Sequence, residues 1–176
     1  MRSATHVIRR IISRVRRFRS LADRIVRSSY LPFNAKASLL AMMPPLALRL
    51  PLPMDVPVRL RGGPVFVGKR SAYVDVRTVL DVWNVEMFPA EWRGRIVLDI
   101  GAHKGYFGAW ALSQGAALVV SCEPESSNFG LLHGSWQAND RRDAWRLENV
   151  ALGARAGTAF AVHLGLSHGR TRPTRR

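Results

Sequence analysis

The sequence predicts an α/β fold built on a short parallel sheet, and three observations carry that prediction. Short apolar runs alternate with helix-length segments through the second half of the chain. A glycine-punctuated turn follows the first of these runs and leads at once into a helix-like stretch. The length, 176 residues, allows one core with appendages at roughly 150 residues per domain.

Composition narrows the class. Apolar residues make up 47% and charged residues 22%, close to a soluble globular average. The 27 Lys and Arg against 12 Asp and Glu give a net charge of +15, unevenly spread. Residues 1–30 carry nine Arg and one Asp, and the last nine residues carry four Arg and no acid. The body between them is nearly neutral, which argues against a uniformly basic nucleic-acid binder. A lone cysteine, Cys122, excludes an internal disulfide and a multi-cysteine zinc site, and fits a reducing compartment. The longest candidate membrane run, 37–47, is split by Pro44 and Pro45, whereas a spanning helix needs about twenty apolar residues. Without an unbroken apolar stretch behind the early arginines, a secretory signal is not expected and the chain reads as cytoplasmic.

Element by element, residues 1–30 read as a basic amphipathic helix centred on 7–26. Val7, Ile8, Ile11, Ile12, Val15, Phe18, Ala22 and Ile25 recur at spacings of three and four, with most arginines opposite. An apolar stripe beside a cationic face suits peripheral contact with an anionic membrane; the plainer reading packs the stripe on the protein's own body. Nucleic-acid contact is disfavoured, since only Phe18 is present for base stacking. Residues 31–57 hold six prolines and read as a connector with one short helix over 37–43. Residues 58–82 read as a small β meander with strands at 58–61, 64–68 and 73–76, and 78–89 as a short helix or loop. Then come a strand at 96–100, a helix at 106–114, a strand at 118–122, a helix at 128–139 capped by Ser126 or Ser127, and a strand at 145–151. A fourth strand is expected near 158–164. Strand and helix alternating at this spacing predict right-handed βαβ units, so 83–165 forms a Rossmann-like cofactor-binding half-domain. Residues 166–176, basic and nearly devoid of apolar side chains, read as a disordered tail.

The chemistry concentrates in Val97-Leu98-Asp99-Ile100-Gly101-Ala102-His103-Lys104-Gly105-Tyr106-Phe107-Gly108. Gly101 permits a tight turn, and Gly105 is expected to clear space for a ligand against the backbone. This turn lies at the carboxyl end of a parallel strand, where open α/β sheets bind ligands. Asp99 would repel a pyrophosphate and favour a cationic ligand. Twenty-four residues later, the second strand ends in Glu123-Pro124, where a carboxylate can accept hydrogen bonds from two ribose hydroxyls. A ribose and a cationic amino-acid arm together describe S-adenosylmethionine. A dinucleotide is the rival ligand, but its usual G-x-G-x-x-G is replaced here by D-x-G-x-x-x-G.

Those residues, with Glu123-Pro124-Glu125-Ser126-Ser127-Asn128, Leu131-Leu132 and Asn149-Val150-Ala151-Leu152-Gly153, resemble the FkbM-type methyltransferase family over about residues 83–162. The resemblance implies a class I methyltransferase fold and methyl transfer from S-adenosylmethionine to a hydroxyl of a sugar, glycan or small metabolite. By position it places Asp99, Gly101, Ala102 and Gly105 on the methionine arm, Glu123 on the ribose, and Pro124 and Asn128 on the adenosine side. His103 falls on a variable loop position and is the only base candidate nearby; no catalytic residue is assigned. The family's later K-I-D-x-E-G-like run does not occur, and no acid follows Glu148. The fold is therefore expected to stop after the third or fourth core strand, and the substrate half to be missing. An inactive copy, and a basic adaptor on a Rossmann-like scaffold, are the alternatives. No metal site is expected: His133 lies among helix residues, and His163 and His168 have no third ligand. Cys122 reads as a buried filler, and the five tryptophans, dispersed without a close cluster, as core or interface residues.

Overall fold

The chain's computed structural model describes residues 2–48, 50–83 and 91–153. The strand expected near 158–164, the histidines 163 and 168 and the tail 166–176 lie outside these residues.

Helix α1 spans Arg2–Arg27. Its inward side, Leu21 and Ile25 with Phe18 partly buried, packs against the rest of the protein, so the plainer of the two readings holds for that face. The stripe is split, however: Ile12 and Val15 remain 47% and 61% exposed. Arg24 Nη2 bonds Asp81 Oδ1 at 2.5 Å, both side chains being well exposed, so the pair contributes at most about 1 kcal/mol.

The proline-rich connector is more helical than expected. It contains α2, Phe33–Ala41, and α3, Met43–Ala47. Pro44 and Pro45 occupy the first turn of α3, where a missing backbone N–H costs nothing because no intrahelical partner exists there. Leu31, Ala35, Leu39, Met42 and Leu46 face the core.

The meander is a two-stranded antiparallel hairpin, β1 Val56–Leu60 with β2 Gly63–Val67. Val58, Leu60, Val65 and Val67 alternate inward, as a half-buried hairpin requires. The third strand expected at 73–76 is instead part of helix α4, Ala72–Val82. Its valines invite a β reading, but Ala72, Val76, Val79 and Leu80 recur at helical spacing, and the core they share overrides their β propensity.

The second half follows the expected alternation: β3 Ile96–Ile100, α5 Tyr106–Ser113, β4 Leu118–Cys122, α6 Ser126–Gln137 and β5 Trp145–Glu148. The three strands form a parallel sheet in the order β3-β4-β5, with Asp99 opposite Ser121 and Ser121 opposite Leu147. This α/β arrangement, a parallel sheet with connecting helices, is compatible with a Rossmann-like fold. Successive right-handed crossovers that progress in one direction place their helices on one face. Val97, Val119 and Trp145 are accordingly buried on that face, whereas Ile96, Leu98 and Ile100 stand 75%, 56% and 63% exposed on the other. The hairpin closes over α5 and α6: Tyr106 Oη donates to the Phe66 carbonyl at 2.9 Å, Phe66 N–H to Ser135 Oγ at 3.3 Å, and Asn139 Nδ2 to the Gly62 carbonyl. The tryptophans are less dispersed than expected. Phe107 and Trp110, three apart on α5, stack at 5.7 Å, and the tertiary fold brings Trp92 edge-on to both at 5.6 and 5.7 Å.

Candidate functional site

The candidate site lies where β3 and β4 end. Asp99 is the penultimate residue of β3, 7% exposed and turned to the covered face. Ser121 Oγ donates to Asp99 Oδ2 at 3.1 Å while accepting Trp145 Nε1–H at 2.9 Å. One hydrogen-bond chain thus crosses all three strands and fixes the carboxylate. Its second oxygen, Oδ1, accepts no hydrogen bond among the described residues. Burial pushes the Asp99 carboxyl up to about 6; the Ser121 bond partly offsets this, and the neighbouring Glu123 charge adds to it. Among the described residues no Lys, Arg or His forms an ion pair with Asp99.

The loop after β3 is stapled to the end of β4. Gly101 N–H and Ala102 N–H both donate to the Cys122 carbonyl, at 2.9 and 3.0 Å. His103 N–H donates to Glu123 Oε2 at 2.8 Å, and Glu125 N–H to Glu123 Oε1 at 2.9 Å. An ionised carboxylate offers about four acceptor sites, so about two remain on Glu123 for a ligand. The carbonyl of Glu123 accepts Asn149 Nδ2–H at 2.7 Å, which brings the end of β5 to the same place.

The two loop glycines differ. Gly101 has φ +75°, and a Cβ there would meet open space. Gly105 has φ +84°, but its Cβ would lie 2.6 Å from Leu132 Cδ1 and 3.0 Å from the Trp145 ring. The expectation that Gly105 clears space for a ligand is corrected: that space is filled by core side chains, and Gly105 lets α5 pack. His103 also sits in the left-handed region, at φ 54°, where His is one of the better tolerated non-glycine residues. Burial, then the nearby Lys104 charge, lowers the His103 pKa from 6.5, so its ring is neutral at pH 7.

Asp99, Gly101, Ala102, His103 and Glu123 are therefore brought together. Pro124 follows on the surface. Asn128 lies in the first turn of α6, its N–H bonded to Glu125 Oε2 at 2.7 Å. Glu125, rather than Ser126 or Ser127, caps α6, accepting from the Ser127 and Asn128 amides. Cys122 is buried, and burial pushes its thiol pKa up, which keeps it unreactive. His133 is exposed on α6 with its ring against Trp136.

Sequence reasoning missed Lys104. Its side chain is 4% exposed, and its Nζ lies 2.6 Å from Asp75 Oδ2, 2.7 Å from Oδ1 and 2.5 Å from Ser71 Oγ. Asp75 also accepts the Gly68 amide at 2.7 Å and the Ser71 hydroxyl at 2.9 Å. The glycine loop is thereby anchored to the β2–α4 turn. The available signal was Asp75, a charge on the apolar face of a helix, which demands a partner.

The site is a ledge at the strand ends, with Asp99 and Glu123 7% and 6% exposed. Cavities of about 670 and 340 Å³ occur among the described residues, and neither is lined by Asp99 or Glu123. Fold and ledge together define an α/β protein with two carboxylates at adjacent parallel strand ends. No family model matches this chain, and no curated protein matches it.

Proposed function

We propose that this chain is the cofactor-binding part of an S-adenosylmethionine-dependent methyltransferase of the FkbM type, acting on a hydroxyl of a sugar or small metabolite. One observation carries the reading: Asp99, with one oxygen unbonded and no ion-pair partner among the described residues, stands beside Glu123, with spare acceptor sites, next to the open space at Gly101. Bound S-adenosylmethionine supplies a methyl group on a sulfonium. Asp99 compensates the cationic arm, Glu123 accepts from the ribose hydroxyls, and Gly101 admits the ligand to the backbone. Methyl transfer to oxygen chiefly requires alignment and a base for the hydroxyl proton. His103, neutral at pH 7 and within the loop, is the candidate for that proton.

Calorimetry with S-adenosylmethionine tests this. Wild-type protein binds, and Asp99→Asn and Glu123→Gln each weaken binding at least about tenfold, the cost of one charge-assisted contact. A folded wild-type sample that gives no heat overturns the reading. Binding without turnover on any hydroxyl acceptor marks a non-catalytic copy.

A second reading rests on α1. No helix among the described residues is long and apolar enough to cross a membrane. The exposed Ile12 and Val15 next to the exposed Arg16 nevertheless suit peripheral contact with an anionic surface. Co-sedimentation with phosphatidylserine vesicles checks it, with Ile12→Ser/Val15→Ser as the comparison because those side chains carry no core packing. Equal partition of both proteins rejects membrane contact.

A further inference from the structure

The cavity of about 670 Å³ lies among α1, α3 and the β2–α4 turn, away from the Asp99–Glu123 ledge. Four cationic side chains line it: Arg14 and Arg17 from α1, Lys69 and Arg70 from the turn. The ion pairs among the described residues are Arg24–Asp81 and Lys104–Asp75, so none of these four cations is neutralised by a carboxylate there. Arg17 makes only a long 3.4 Å bond to the Ser13 carbonyl. Asp55, just before β1, accepts the Lys69 backbone amide at 2.7 Å. Phe18, Leu46, Leu50 and Tyr73 add aromatic and apolar surface to the lining, the Phe18 and Tyr73 rings forming one wall with centroids 5.5 Å apart. At the start of α4 the Ser71 hydroxyl is committed to Asp75 and Lys104 and gives the helix no side-chain cap. Four like charges converging on one hollow repel one another, and they are tolerated best when an anion sits between them.

We propose that this cavity is a binding site for an organic phosphate. The phosphoryl group lies among Arg14, Arg17, Lys69 and Arg70, where the guanidinium forks suit its oxygens. The rest of the ligand lies on the Phe18–Tyr73 wall, and the volume is that of a small-molecule site. The site is independent of the methyl-transfer reading, since it shares no residue with the ledge.

Calorimetry on the full chain uses two probes, inorganic pyrophosphate and monomeric dihexanoyl phosphatidic acid. Lys69→Glu/Arg70→Glu and Arg14→Glu/Arg17→Glu each weaken binding by about tenfold or more, the loss of charge-assisted contacts. Arg142→Glu/Arg146→Glu, the same change of charge on exposed residues elsewhere, alters it by less than about threefold because distant charges are screened. If a reversal variant melts early, Lys69→Ala/Arg70→Ala gives the same reading with less perturbation. Equal binding of both probes identifies a soluble phosphate ester as the ligand source, and tighter binding of the lipid identifies a headgroup with its apolar portion on the wall. Absence of binding by either probe, or equal weakening by the distant reversal, overturns the site.

Discussion

At the scale of the residue, the burial of Asp99 costs the fold stability once its carboxyl ionises. Its folded carboxyl titrates near 6 against an ordinary 3.8, so the folded state holds the proton more tightly than the unfolded chain. The stabilisation from protonation is complete below about pH 4 and is lost as pH rises through 6. Asp99→Asn removes that loss: it is expected to be more stable than wild type above pH 7, by at most about 3 kcal/mol, with the difference vanishing toward pH 4. Denaturant melts between pH 4 and 8 measure this. Binding of a cationic ligand should show the opposite trend, strengthening from pH 5 to 8 in wild type and staying flat in Asp99→Asn. The loop glycines give a second contrast. Gly105→Ala drives a methyl into Leu132 and Trp145 in addition to backbone strain, and should cost more than about 2 kcal/mol. Gly101→Ala meets no atom and should cost only the left-handed strain of about 1–2 kcal/mol, yet reduce ligand binding as strongly as Asp99→Asn. The sequence carried Asp99, Gly101 and Glu123 clearly, because strand ends and turns are local. It could not separate the roles of Gly101 and Gly105, since what a missing Cβ would touch depends on Leu132 and Trp145, 27 and 40 residues further along.

At the scale of the element, the Lys104–Asp75 pair joins two units that sequence reading kept apart. Removing one partner leaves a buried charge uncompensated, so Asp75→Ala should destabilise the fold by about 3–5 kcal/mol. The double variant Asp75→Leu/Lys104→Met removes both charges and should recover most of that loss. Thermal melts of the three proteins decide it: if the double variant is as unstable as the single one, the pair matters through geometry, not through charge. The elements misjudged from sequence are the ones settled by this packing. Helix α4 is rich in valine, yet its buried residues recur at helical spacing; α3 carries Pro44 and Pro45 in its first turn, where no amide partner is needed, and buries Leu46. Among the elements correctly foreseen, β3, β4, α5 and α6 each have glycine, proline or serine within two residues of at least one end, whereas β5 was legible from its place in the strand–helix alternation. Their boundaries still shifted, as when Glu125 took over the cap of α6 from Ser126 or Ser127.

At the scale of the whole molecule, the uneven covering of the sheet has consequences in solution. Among the described residues β3 is an edge strand, and Ile96, Leu98 and Ile100 line its exposed face. A contiguous apolar strip on a strand with a free edge favours association. The net charge of +15 opposes it by mutual repulsion. Salt weakens that repulsion, the screening length falling to about 10 Å at 0.1 M, and leaves the apolar strip unaffected. Wild-type protein should therefore self-associate more as salt is raised, contrary to the behaviour of a protein held together by ion pairs. Leu98→Lys places a charge in the middle of the strip at a side chain 56% exposed. It should change stability by no more than about 0.5 kcal/mol, as surface substitutions do. It should also abolish the rise of association with salt, read by sedimentation equilibrium from 50 mM to 1 M sodium chloride. A loss of more than about 2 kcal/mol in Leu98→Lys would mean that the face is covered in solution, because only a buried position carries such a cost.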